Sequence, residues 1–360
     1  MDAKHLDELD TPCLTVDLDV FEDNVRTCFE RLSGVDVRPH LKTAKSPAVA
    51  RLLIDAGAGG VCVAKLGEAE VMLGAGIDDV LITTEIAGEV KVRRLARVVA
   101  RYPETRIRIV VDSHEAAAAI DAALPRALET LIDVNVGQDR TGIAPDDALA
   151  LADRIRGLEK VQLIGVQGYE GNLQHVRDPG ERRRLCGEAM DRLATAAERL
   201  RAGGHTVDVV TTGGTGTAEF CAAHDAVTEV QPGSFAFMDT DYLATGGLPY
   251  KSSLQVVATV ISHPAPDRAV IDAGLKTLSD DSGPARLADA PGWSYEHAGD
   301  EHGRLTPTDD PGRRELEVGD RVRLIPSHID PTINLHEVMY AHRGGRIEAA
   351  WPVAARGKVQ

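Results

Sequence analysis

The stretch V-D-V-V-T-T-G-G-T-G-T-A-E-F-C-A-A-H-D-A-V-T-E-V-Q-P-G-S-F (207–235) reads as strand, glycine-rich loop, helix, strand and a second loop with glycine. Its two strands are short β-branched runs, V-D-V-V-T-T and V-T-E-V-Q, the pattern of a buried parallel sheet. A strand that reaches the next through a helix pairs with it in parallel by a right-handed crossover. Worked back toward the N-terminus, the same alternation begins near Val35. Its runs are V-D-V-R-P-H (35–40), G-V-C-V-A-K (60–65), D-V-L-I-T-T (79–84), R-I-R-I-V-V-D (106–112), T-L-I-D-V-N-V (130–136) and V-Q-L-I-G-V-Q-G (161–168). Helical patterns lie between them, such as L-G-E-A-E-V-M-L-G-A-G (66–76) with a glycine suited to a helix stop. Strands 207–212 and 227–231 complete a count of eight, which closes a (β/α)8 TIM barrel. An open doubly wound sheet usually has fewer strands and a glycine-rich first turn, and no G-x-G-x-x-G follows the first strand here.

After about Gly246 the texture changes. V-V-A-T-V-I-S (256–262), A-V-I-D-A (269–273), R-V-R-L-I-P (321–326) and G-R-I-E-A-A-W-P-V (345–353) read as strands with no long helix between them. The stretch 280–311, rich in Asp, Gly and Pro, reads as loop. T-P-C-L-T-V-D (11–17) is a strand outside the eightfold count, and its place is the C-terminal sheet. The expected organisation is a barrel over 18–245 and a β-rich domain built from 1–17 plus 246–360.

The chain of 360 residues has 43% hydrophobic and 27% charged residues, an ordinary globular balance. A formal net charge of −16 argues against nucleic acid or an anionic membrane as partner, since both need a basic face. The start, M-D-A-K-H-L-D-E-L-D, has no apolar signal core. The five cysteines are scattered without a C-x-x-C, which reads as reduced thiols in a cytoplasmic protein.

In a parallel barrel the reactive groups gather at the C-terminal strand ends. The first strand ends in R-P-H-L-K-T-A-K, which sets Lys42 at the mouth. A lysine there is either a solvated loop residue or an amine that bonds an aldehyde. Lys45 beside it reads as a surface residue at a helix start. The fifth strand leads to Arg140, an oxyanion partner or a rim ion pair. The sixth leads to Tyr169 and to His175, whose ordinary pKa suits proton transfer. The seventh ends in T-T-G-G-T-G-T at a helix start and the eighth in Q-P-G-S-F. Both are loops that can cradle phosphate, where such barrels usually bind it. An amine and a phosphate cradle in one mouth suggest pyridoxal phosphate, which needs both and a partner for its ring nitrogen.

One further motif lies in I-P-S-H-I-D-P-T-I-N-L-H-E (325–337). The alternation of 315–324 places His328 and Asp330 at a strand end, where residues two apart share a side. They form either a surface pair or two ligands for a divalent metal.

Together R-P-H-L-K-T, G-Y-E-G, T-G-G-T-G-T, E-V-Q-P-G-S-F-A-F-M-D, D-A-G-L-K, D-E-H-G and P-S-H-I-D-P-T-I-N resemble the alanine racemase-like (fold type III) pyridoxal-phosphate enzymes. Within these the chain is similar to the D-threonine aldolase and D-serine dehydratase group, over nearly its whole length. The resemblance implies a cofactor barrel closed by a β domain, with Lys42 as the lysine bonded to the cofactor and Tyr169 against it. It implies that Thr212, Gly214, Thr215, Gly233 and Ser234 surround the phosphate and that Arg140 lies near the phenolic oxygen. Gln231 or Tyr169 would serve the ring nitrogen. His328 and Asp330 match the metal pair. Dehydratases of the group show H-x-C, and a thiolate favours zinc. Imidazole with carboxylate suits Mn2+ first, with Mg2+ or Co2+ also admitted. The implied activity is retro-aldol cleavage of a D-β-hydroxy-α-amino acid, with His175 or a metal-bound water taking the hydroxyl proton. The alternative is dehydration to a 2-oxo acid and ammonia. A non-catalytic cofactor-binding protein would lack the second domain, and a racemase would need a tyrosine base, for which Tyr242 and Tyr340 are candidates. A homodimer is compatible with this reading. Glu301, His302, Asp272, Lys276, Asn334 and His336 have no single role in sequence, the last two being candidates to orient the metal ligands.

Overall fold

The computed structural model describes residues 3–360, so residues 1 and 2 of the expected segment 1–17 lie outside the described residues. The chain divides into two compact units. One comprises Cys28–Lys42, Val49–Gly233 and Lys358–Gln360; the other comprises the segment ending at Thr27, Thr43–Ala48 and Ser234–Gly357.

Strands are numbered along the chain, and β1 (Cys13–Asp17) belongs to the second unit. The first unit holds β2 (Asp36–Val37), β3 (Val61–Val63), β4 (Asp79–Ile82), β5 (Arg106–Val111), β6 (Leu128–Val134), β7 (Val161–Gly168), β8 (Val209–Thr212) and β9 (Glu229–Val230). All pair in parallel in the order β2-β9-β8-β7-β6-β5-β4-β3. A bridge between His40 and Cys62 joins the two ends of this path, with Leu41 N–H donating to Cys62 O at 2.7 Å. The eight strands expected from the alternation therefore form the alanine racemase-like (β/α)8 architecture.

The side chains inside this sheet form three layers, because every second residue of a strand points the same way. The lowest layer is ionic. Arg38 donates to Glu229 and to Asp79, both at 2.7 Å, and Arg108 donates to Glu129 at 2.9 Å. Two residues further along the strands the layer is apolar, with Cys62, Leu81, Val110 and Leu131 packed together against Ile164 and Val209. Two residues further again it is polar, with Thr83, Asp133, Gln167, Thr211 and Gln231 linked by hydrogen bonds. Gly165 permits the close approach of β8 to β7: a Cβ there would stand 1.8 Å from the Val209 carbonyl oxygen.

The second unit is β-rich. Its strands are β10 (Leu254–Ala265), β11 (Arg268–Ile271), β12 (Arg286–Leu287), β13 (Trp293–His297), β14 (Gly303–Pro307), β15 (Arg321–Ile325), β16 (Val338–Arg343) and β17 (Arg346–Pro352). β1 lies between β10 and β16, antiparallel to the first and parallel to the second. Two expectations are corrected. The stretch 280–311, read as loop, contains β12, β13 and β14. Trp293 and Tyr295 are buried and alternate with exposed Ser294 and Glu296, a period-two signal masked by the flanking Asp, Gly and Pro. The strand read over 315–324 is confined to Arg321–Ile325, because Gly319 at φ +99° turns the chain just before it.

The unit boundary also departs from 17/18 and 245/246, since residues 18–27, 43–48 and 234–245 pack with the β-rich unit. Phe21 stacks on Phe237 and on Trp351, both at 5.6 Å between centroids. The Asn24 amide donates to Lys251 O at 2.7 Å. Lys45, read as a surface residue, is buried at φ +50°, and its carbonyl accepts from Ala355 N–H at 2.9 Å.

Candidate active site

Lys42 follows β2 on a turn and is half-buried. Its Nζ lies 5.9 Å from the centroid of the Tyr169 ring, and the Arg140 guanidinium lies 5.3 Å from the same centroid. Lys42 and Arg140, expected from two other strands, thus both stand near the Tyr169 ring. His40 holds the approach to Lys42: its Nδ1 accepts from Lys42 N–H at 3.3 Å, which leaves Nε2 to donate to Thr83 Oγ1 at 3.0 Å. A primary amine, a guanidinium and a flat aromatic face fit an aldehyde-bearing heteroaromatic anion such as pyridoxal phosphate. His175, by contrast, is exposed on the turn after the short helix Gly171–Leu173.

Gln231 stands in the polar layer, whose members Asp133 and Gln167 the sequence reading does not single out. Gln167 Nε2 donates to Asp133 Oδ1 at 3.0 Å and to Thr83 O at 3.2 Å. Gln231 Nε2 donates to Thr211 Oγ1 at 2.9 Å and to Gln167 Oε1 at 3.3 Å. Asp133 also accepts from Thr141 Oγ1 at 2.9 Å and faces a small pocket that Arg140 and Tyr169 line. Burial first, and then the neighbouring Glu85 carboxyl, push Asp133 up to about 7. The folded chain therefore binds a proton here that the unfolded chain has lost above about pH 4. Stability from this group falls as pH rises from about 4 to about 7, by about 2–4 kcal/mol. Asp133→Asn should remove that fall, so its stability relative to wild type rises across the window. Urea denaturation of the cofactor-free protein at pH 4 to 8 measures the difference.

Glycine loops follow β8 and β9. In the first, Glu170 is buried and accepts from Thr212 Oγ1 at 2.9 Å and Thr217 Oγ1 at 2.5 Å. The Thr212 hydroxyl proton, expected for cofactor phosphate, is thus given to Glu170. Gly214 N–H donates to Thr217 Oγ1 and Gly216 N–H to Gln174 Oε1, so part of the cradle is bonded inward. A Cβ at Gly216 would stand 2.2 Å from Gln174 O, so close packing on Gln174 demands that glycine. Thr215 is buried in this loop. Gly233 ends the first unit at the second loop, and Ser234 opens the turn Ser234–Ala236 of the second.

In the β-rich unit the H-x-D motif does not lie on a strand end. β15 stops at Ile325, His328 caps the helix Ile329–Leu335, and Asp330 stands in its first turn. Asp239 is buried beneath and accepts from Ile329 N–H at 3.1 Å; burial pushes its carboxyl up to about 6. Asp281 orients His328, with 2.6 Å between Oδ2 and Nδ1, and accepts from Ser279 Oγ at 2.6 Å. Burial would raise the Asp281 carboxyl, but the Ser279 hydroxyl and His328 hold it below its ordinary range. With Nδ1 bonded to Asp281, His328 offers Nε2, and Asp330 offers an oxygen nearby in the chain. Among the described residues no group of three His, Cys, Asp or Glu is preassembled for a metal. The nitrogen–oxygen donor pair fits an ion that takes its other ligands from water or substrate.

Other expectations resolve. Asn334 Oδ1 accepts from Gly357 N–H and His336 bonds Thr277 O, so Asp281 rather than either of them orients His328. Asp272 accepts from Thr11 and from Thr259 N–H, and Lys276 forms an exposed pair with Glu301. His302 is exposed. For a divalent ion held at His328, replacing Asp281 with alanine should weaken binding by about 10–100-fold, as loss of a ligand-orienting carboxylate does. Calorimetric titration of the cofactor-free protein measures it.

A family model, alanine racemase N-terminal domain, matches residues 16–241. The chain belongs to this alanine racemase N-terminal domain family. A second model, the serine dehydratase domain, matches residues 253–342. Among family relatives, D-threonine aldolase of Arthrobacter sp. is 41% identical over 98% of this chain and 94% of its own length. The crystal structure of D-threonine aldolase from Filomicrobium marinum superposes with a TM-score of 0.94 at 36% identity, covering 99% of this chain and 98% of that one. D-threo-3-hydroxyaspartate dehydratase from Delftia sp. HT23 follows the same fold with a TM-score of 0.88 at 31% identity, covering 97% and 99%. Among the described residues no helix is long and apolar enough to cross a membrane.

Proposed function

We propose that this chain is a pyridoxal-phosphate- and divalent-metal-dependent carbon–carbon lyase that cleaves D-β-hydroxy-α-amino acids of the D-threonine type to glycine and an aldehyde. The gathering of Lys42 and Arg140 at the Tyr169 ring carries the reading. Its aldolase sense rests on Asp330 standing where the dehydratases of the group have cysteine, and on the similarity to named aldolases.

The Lys42 amine would hold the cofactor by its aldehyde. The Tyr169 ring packs against the cofactor face, and Arg140 neutralises negative charge beside it. Gly214, Thr215, Gly233 and Ser234 surround the phosphate. When bound, pyridoxal phosphate supplies an electron sink for the pair left on Cα as the Cα–Cβ bond breaks. His328 and Asp330 are the metal ligands, and a divalent cation supplies Lewis acidity that makes a β-hydroxyl proton removable near neutral pH. His175 is the side chain assigned to accept that proton. Its exposure leaves it room to exchange the proton with water.

The substrate is a small D-amino acid, and Mn2+ is the favoured ion, with Mg2+ and Co2+ next. The compartment is cytoplasmic, with neither nucleic acid nor membrane as partner, and a homodimer is compatible with the reading. Purified protein given pyridoxal phosphate and Mn2+ should convert D-threonine to equal amounts of glycine and acetaldehyde. Chelation should stop turnover and Mn2+ should restore it. A 2-oxo acid with ammonia would instead make the chain a dehydratase.

A further inference from the structure

The hydrogen bonds of the polar layer run in one direction. Thr83 O is a backbone carbonyl and can only accept, so the amide nitrogen of Gln167 must face it, 3.2 Å away. The second hydrogen on that nitrogen goes to Asp133 Oδ1 at 3.0 Å. Asp133 is itself fixed by Thr141 Oγ1 at 2.9 Å and shares a buried site with Glu85, so the pair anchors the chain of bonds at one end. Gln167 therefore turns its oxygen to Gln231, which must donate across 3.3 Å. The other hydrogen of the Gln231 amide goes to Thr211 Oγ1 at 2.9 Å. Both hydrogens of Gln231 are committed, so a half-exposed side chain has one end left to offer, its carbonyl oxygen.

A glutamine free to rotate can present either a donor or an acceptor to a ligand. This one presents an acceptor. An acceptor stabilises a ring N–H, whereas a donor stabilises the bare ring nitrogen. We propose that Asp133 and Gln167 are positioning residues that lock Gln231 with its carbonyl oxygen outward, so that a heteroaromatic ring nitrogen bound there is kept protonated. The inference rests on the pyridoxal-phosphate reading, with Gln231 as the partner of the ring nitrogen. A protonated ring is the stronger electron sink, so the relay serves the same bond cleavage from two side chains away. The titratable groups facing this layer are Glu85 beside Asp133, and Arg140 and Tyr169 across the small pocket. His40 meets it through Thr83.

The test uses full-length protein loaded with pyridoxal phosphate labelled with 15N in the ring, and with diamagnetic Mg2+ in the metal site. The 15N resonance followed against pH reports protonation of the ring nitrogen directly, whatever the turnover. Gln167→Met should lower the apparent ring-nitrogen pKa by about one unit, because the Gln231 amide is then free to turn its donor end outward, and Thr211→Val should lower it by less, since the Gln167 oxygen still accepts from that amide. Asp133→Asn should shift it in the same direction by less, since Thr83 still holds Gln167. Gln231→Glu, whose carboxylate accepts and also carries negative charge, should keep the ring nitrogen protonated at least as far as in wild type, even combined with Gln167→Met. Thr211→Val is nearly isosteric and carries the test if Gln167→Met fails to fold. Folded variants that keep the wild-type ring-nitrogen pKa would overturn the relay alone. A wild-type protein that binds no labelled cofactor would overturn the cofactor reading beneath it.

Discussion

Lys42→Ala protein should stay colourless after incubation with pyridoxal phosphate, and borohydride should leave it without a fixed cofactor. Activity on D-threonine should fall by at least about 1,000-fold, because the amine that bonds the cofactor is removed. The Lys42 Nζ lies 5.9 Å from the Tyr169 centroid. Lys45 is the nearest lysine in sequence, but it is buried and belongs to the other compact unit. The substitution trims a half-buried side chain on a turn, so the melting temperature of the cofactor-free protein should barely move. The combination separates chemistry from stability. Colour and borohydride fixation that persist in Lys42→Ala would show that another amine holds the cofactor.

The opposite pattern is expected at the other end of the barrel. Glu229 is almost fully buried between Arg38 at 2.7 Å and Arg108 at 3.7 Å. Burial alone would lower the Arg38 pKa, but Glu229 and Asp79 outweigh it and hold the guanidinium firmly charged. Glu229→Leu leaves two buried guanidinium groups short of a partner. Breaking a buried pair on one side costs about 3–5 kcal/mol, a large share of the roughly 5–15 kcal/mol that holds a domain folded. The urea midpoint should drop steeply. Adding Arg38→Met should recover part of the loss, because an apolar pair of similar volume avoids the desolvation penalty. Asp79 then keeps Arg106 at 3.6 Å and Arg108 at 3.8 Å. A midpoint unchanged in Glu229→Leu would mean that water or relaxation solvates the arginines where the structure shows almost none of their surface exposed.

These two experiments divide the barrel as its layers do. The lowest layer carries charge that serves stability, the middle layer is apolar, and the upper layer carries the groups assigned to chemistry. The division was latent in the strands themselves. D-V-L-I-T places Asp79, Leu81 and Thr83 two apart, and E-T-L-I-D does the same for Glu129, Leu131 and Asp133. A period-two reading of each strand would have flagged Asp133 and Gln167, since a polar residue inside a run of apolar ones is unusual. What it would not have shown is which of them touch. Gln167 and Asp133 are 34 positions apart and Gln231 is 64 beyond Gln167, and only strand neighbourhood and register bring them together.

The H-x-D motif shows the reverse failure. H-x-D was visible, but its backbone was misread, because 315–324 alternates and invites a strand that runs on to the motif. Pro326 and the capping geometry at His328 end it early, and Asp330 enters a helix. Asp281 lies 47 positions before His328, in a stretch read as featureless loop, and no local pattern marks it as the group that orients the imidazole.

By itself the sequence determined the alternation that yields eight parallel strands, the added β-rich sheet that β1 joins, and the residues on each strand end. All of these follow from local periodicity, because burial of alternate side chains and crossover handedness leave few ways to arrange such a chain. Tertiary structure alone decided which polar atoms are satisfied by one another and so are not offered to a ligand. Thr212 turns to Glu170, Asn334 to Gly357, and Gln231 is left with an oxygen and no spare hydrogen. A hydrogen bond depends on distances of about 3 Å between groups far apart in the chain, and no periodicity within one segment records them.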